Sequence, residues 1–110
     1  MPIITPEDAP TFDAGGATAT AAWRIRFSAG HASPPHSLDR EEVFVMLSGA
    51  VTARYADHSE TAHAGGALIV PAGVEFSVGA DDGPAEAVCT LPVGGTALLA
   101  GDRIVPPWAV

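Results

Sequence analysis

The chain alternates from Thr20 onward. In TAAWRIRFS, Trp23, Ile25 and Phe27 fall on one face of an extended strand and Arg24 and Arg26 on the other, the period of two that a half-buried strand imposes. A loop broken by Pro34-Pro35 follows, from Gly30 to Arg40. EVFVMLSG is apolar at successive positions, as expected of a strand covered on both faces. Gly49 permits a tight turn into VTARYA, where Val51, Ala53 and Tyr55 alternate with Thr52 and Arg54. ADHSE reads as a polar hairpin loop, Gly65-Gly66 as a turn, and ALIVPAG as a short buried strand closed by Pro71 and Gly73. VEFSVG places Val74, Phe76 and Val78 on one face. After the turn Asp81-Asp82-Gly83-Pro84 come the strand AEAVCTLP, Gly94-Gly95 and a weak strand TALLA. Helical periodicity is nowhere sustained.

Short strands separated by glycine and proline turns predict an all-β sandwich or barrel. Residues 20–100 form that domain, 1–19 read as an N-terminal arm, and 101–110 as a C-terminal tail. A chain of 110 residues has room for one core. Apolar residues are 47% of it and aromatic ones 6%, so aliphatic side chains must build most of that core.

Net charge is −8, with five arginines and no lysine. Nucleic-acid phosphates and anionic membrane surfaces need clustered basic side chains, so neither is an expected partner. No apolar run approaches the roughly 18 residues of a membrane-spanning helix. The N-terminus lacks a basic segment followed by an apolar one, so no signal peptide is expected. Cys89, the one cysteine, has no internal partner and fits a reducing cytoplasm; its place in an alternating strand reads as a small buried apolar residue.

The stretch GHASPPHSLDREEVFVMLSG carries the chemistry. Gly30, His36, Glu42 and Gly49 stand at the spacing G-x5-H-x-H-x3-E-x6-G, apart from its second histidine, and Gly65, Pro71 and Gly73 at G-x5-P-x-G. This pair of motifs resembles the cupins, over roughly residues 20–92. The resemblance implies a small β-barrel (a double-stranded β-helix, or jelly roll). It further implies that two histidines and a glutamate of the first motif, with a histidine of the second, converge on one metal ion. Here His36 and Glu42 match, Leu38 replaces the second histidine, Phe76 the third, and Ala80 the asparagine that closes the second motif. Leucine and phenylalanine cannot donate to a metal. The expected cofactor is accordingly none, or a weakly held divalent ion (Zn, Fe, Mn or Ni) on His36 and Glu42.

The inward positions implied by the resemblance then define a mainly apolar cavity. Leu38, Phe44, Met46, Phe76 and Trp23 are its candidate ligand-binding walls, and His36 and Glu42 its candidate catalytic pair. Apolar walls with a few placed polar groups are the general form of a small-molecule site. A buried carboxylate needs a partner or a proton, so Glu42 is expected to pair with His36 and serve in acid–base chemistry on a carbonyl compound. Blander readings stand beside these. His36 also fits a loop histidine satisfying backbone groups, Glu42 an exposed carboxylate beside Glu41, and Phe76 a plain core filler.

The expected protein is therefore a stand-alone cupin domain holding a small, largely apolar metabolite. The alternatives are a divalent-metal-dependent oxygenase, isomerase or cyclase, and a non-catalytic sensor or interaction protein. The doubly apolar strand EVFVMLSG leaves a sheet face to cover, which predicts a homodimer.

Overall fold

The computed structural model describes residues 19–99 and 102–104, so the expected arm up to residue 18 and the tail after 104 lie outside the described residues. Eleven strands follow one another among them: β1 (Thr20–Phe27), β2 (His31–Ala32), β3 (Ser37–Leu38), β4 (Glu42–Ser48), β5 (Ala50–Arg54), β6 (Ser59–His63), β7 (Ala67–Val70), β8 (Ser77–Ala80), β9 (Ala85–Pro92), β10 (Ala97–Leu99) and β11 (Asp102–Ile104). One four-stranded antiparallel sheet has the order β1-β9-β4-β7, and a second has the order β2-β8-β5-β6. A small third sheet, β11-β10-β3, carries pairing into residues 102–104, which the sequence placed in a tail. The expected all-β architecture is present.

Strand periodicity fixes the core. Residues of β9 alternate between buried and half-buried along their whole length, with Ala85, Ala87, Cys89 and Leu91 inward. Register places Cys89 directly between Trp23 on β1 and Phe44 on β4. Trp23, Leu38, Phe44, Met46, Leu68, Val70, Phe76 and Val78 join one contiguous apolar cluster. Burying such side chains stabilises by roughly 1.5–3 kcal/mol each.

Three expectations about the strands change. The segment Ser59–His63 is a strand, β6, paired with all of β5. It lies at the edge of its sheet with Ala62 as its one buried residue, so its sequence shows no alternation. Val74 does not share a face with Phe76 and Val78: it is exposed and precedes β8, because the turn through Gly73 (φ 78°) runs on to Phe76. β4 is buried on its inner face alone. Val45 and Leu47 are 42% and 49% exposed, and Ile69 beside them 53%.

Glycine matters most where two backbones touch. A Cβ at Gly79 would lie 2.2 Å from the His31 carbonyl oxygen, so any side chain there forces β2 away from β8. Gly79→Ala is expected to destabilise by about 2 kcal/mol or more, an overpacking cost against backbone that cannot yield easily. Gly83→Ala, with open space around it, should stay within about 0.5 kcal/mol of the parent. Urea unfolding of the two variants measures the difference.

Candidate functional site

Glu42 opens β4 and points into the apolar interior with the same parity as Phe44 and Met46. It is 8% exposed. Its partner is Cys89, whose thiol donates to Oε2 at 3.2 Å. The expected His36–Glu42 pair does not form, because His36 is held elsewhere. No ion pair reaches Glu42 among the described residues, and Oε1 has no hydrogen-bond partner among them. Burial therefore dominates its titration and raises the carboxyl from its ordinary 4.5 to about 7, with the Cys89 bond opposing weakly. Burial, and then the Glu42 charge, push the Cys89 thiol well above its usual range. Cys89 is thus an inert thiol shaping a carboxylic acid. Its strand parity announced the burial, but nothing in the sequence announced the bond.

His36 precedes β3 and faces Phe76 across an antiparallel bridge, with each backbone N–H bonded to the other's carbonyl at 3.0 and 2.8 Å. Directly paired residues share a face, so the imidazole packs on the Phe76 ring, centroids 4.4 Å apart. Nδ1 donates to the Pro34 carbonyl at 2.8 Å, which leaves the lone pair on Nε2. His36 is half-buried, whereas Leu38, two residues on, is 5% exposed and Phe76 1%. Trp23, Phe44 and Met46 are buried in the same cluster. The structure brings the ligand-binding candidates together as a packed wall.

The other histidines, and the charged side chains next to Leu38, lie outside this interior. Asp39 accepts from the Thr96 backbone N–H and hydroxyl at 2.6 and 2.8 Å. Arg40 donates to the Asp39 carbonyl. His58 pairs with Asp57 at 2.7 Å, a bond that raises the imidazole's pKa and lowers the carboxyl's. His31, Glu41 and His63 are exposed.

This is the architecture of a cupin: two antiparallel sheets, with Leu38, Glu42 and Phe76 buried between them and His36 half-buried beside Phe76. The Cupin domain family profile matches residues 23–91, and the chain belongs to that family. Similar solved structures include a cupin-2 domain protein from Shewanella frigidimarina, 21% identical over 69% of this chain and 72% of that one, with a TM-score of 0.62. DMSP lyase DddQ from Ruegeria pomeroyi is 21% identical over 76% of this chain, TM-score 0.67. The polyketide cyclase RemF from Streptomyces resistomycificus is 19% identical over 84% of this chain, TM-score 0.65. The chain spans 44% of the lyase and 62% of the cyclase. At these identities the likeness shows the fold. No curated protein matches.

The residues present do not fit the metal that the family pattern implies. A catalytic site for a first-row divalent ion takes at least three protein donors. Leu38 and Phe76 supply none, and no three His, Cys, Asp or Glu side chains among the described residues are placed to share an ion.

A pH dependence follows from Glu42. Its folded pKa lies above its unfolded one, so the native state holds the extra proton between 4.5 and about 7. Stability is greatest below pH 4.5 as far as this group is concerned, falls as pH rises through 7, and is level above. The full drop is about 3 kcal/mol, from a shift of some two to three units at ~1.4 kcal/mol each. Glu42→Gln keeps an acceptor for Cys89 and removes the titration. Urea midpoints at pH 5 to 8 should show the variant increasingly more stable than the parent as pH rises, while a constant difference would refute the assignment.

Proposed function

We propose that this cupin domain works without a metal, holding a small, largely apolar molecule in the barrel with Glu42 as its proton-carrying group. The observation that supports this reading is Glu42 itself: a buried carboxyl bonded to Cys89 on the strand face of Phe44 and Met46, near pH 7 in titration, with no partner for Oε1 among the described residues. In its protonated form such a group donates a hydrogen bond to a neutral acceptor; a carbonyl oxygen suits it better than a carboxylate, since no cationic side chain pairs with Glu42 among the described residues. His36 Nε2 carries a lone pair and is held independently of Glu42. The two form an acid and a base that need not share one proton, the arrangement general acid–base chemistry at a carbonyl compound requires.

The test uses the full chain without a histidine tag. Native mass spectrometry and NMR titration with small neutral ketones should show 1:1 binding that weakens as pH rises through 7 in the parent, stays level with pH in Glu42→Gln, whose amide N–H still donates, and is lost in Glu42→Leu. Metal analysis should give far less than one ion per chain. Near-stoichiometric iron, manganese, nickel or zinc that disappears in His36→Ala would overturn the reading in favour of a metal enzyme. A ketone bound but never exchanging its α-protons would remove the catalytic part and leave a binding protein.

The outer face of the β1-β9-β4-β7 sheet supports a second proposal, a homodimer. Val45, Leu47 and Ile69 make an exposed apolar stripe, flanked by Arg24 and Arg26, which share the single carboxylate of Glu86. An apolar stripe of this kind on a sheet face is covered when two copies of the chain meet face to face. Sedimentation equilibrium should give a dimer for the parent and a folded monomer for Leu47→Asp. A monomeric parent would dispose of the idea.

A further inference from the structure

We propose that Phe76 is the gate of the barrel: its ring separates the buried interior from a surface cleft, and its movement sets which molecules reach Glu42. The inference rests on the ligand-binding reading above, because a packed interior admits a ligand only where some side chain yields.

Phe76 has two surroundings. It is 1% exposed and belongs to the core cluster that contains Cys89 and Phe44. It also lines a surface cleft of about 230 Å³, together with Pro35, Tyr55, Glu75 and Ser77. The residue therefore stands between the core and the cleft. Its ring contacts are tilted: His36 lies at 4.4 Å and 46°, Tyr55 at 6.5 Å and 39°. The outer wall is more firmly placed, since Tyr55 stacks on the His58 imidazole at 4.7 Å and 18°.

The backbone at this point can stay still while the ring moves. Two hydrogen bonds to His36 pin Phe76, and β8 begins at the next residue. Rotation about χ1 from one staggered well to another swings a phenylalanine ring without touching those bonds. The adjoining cleft gives the rotated ring somewhere to go. Closed and open states thus differ by one ring rotation.

Cys89 reports on opening, because it is the single cysteine of the chain and sits against Glu42 inside. Its modification by methyl methanethiosulfonate is followed at rising sub-denaturing urea. A gate predicts that parent labelling has a urea-independent component, since a ring rotation exposes little surface, faster than global unfolding allows. Phe76→Ala should raise that component about tenfold or more. Val51→Ala, a fully buried change on β5, should raise the urea-dependent component alone. Should Phe76→Ala fail to fold, Phe76→Leu makes the same comparison with a smaller loss. Labelling of the parent that tracks global unfolding throughout, or identical profiles for the Phe76 and Val51 variants, would overturn the gate. Labelling reads access alone, so a working gate with no ketone binding condemns the proposed ligand and not the gate.

Discussion

Strand β9 is the constraint on which the rest depends. It pairs with β1 along eight residues and with β4 on its other side, so its alternation sets the facing of both neighbours at once. Slipping either pairing by one residue would turn Trp23 or Phe44 outward and Arg24 or Val45 inward. An inward arginine in this apolar interior would meet no described partner except Glu42. The register is therefore held by the difference between burying a ring and burying a charge. That difference is several kcal/mol per position.

The same register delivers the one polar exception. With Cys89 fixed between Trp23 and Phe44, its thiol reaches diagonally to Glu42. A thiol is a weak donor, so it satisfies part of the carboxyl's need while stabilising its charge too little to offset burial. An arginine at that position would have pulled the pKa down and made Glu42 a permanent anion. The acid's usefulness near neutral pH comes from the poverty of its surroundings.

Much of this was legible from the chain alone. Two motifs with correct gaps named the fold, and the inward positions that the resemblance implies include Trp23, Leu38, Phe44, Met46 and Phe76, all of them buried. What escaped was information that single strands do not carry. β6 is polar because a sheet edge asks nothing apolar of most of its positions. The Glu42–Cys89 bond joins residues 47 apart, and depends on relative register rather than on either local pattern. His36 looked like the partner of Glu42 because the family pattern aims both inward. Pro34 and Phe76, close by in sequence and across the bridge, claim its ring first.

Leu38 and Phe76 also change what holds the barrel together. In a metal site the ion's binding free energy contributes to folding, and stability depends on the ion's supply. Here two fully buried apolar side chains stand at positions where ligands would otherwise need a cation, each worth roughly 1.5–3 kcal/mol by burial. By the same measure Glu42 is the residue that packing does not explain, because a leucine of similar size would add stability where a raised carboxyl subtracts it above neutral pH. Physical cost without a structural return marks a position set by chemistry. On the proposed reading, a carboxyl that packing disfavours and a phenylalanine between core and cleft give the barrel a proton-carrying group and a route to it.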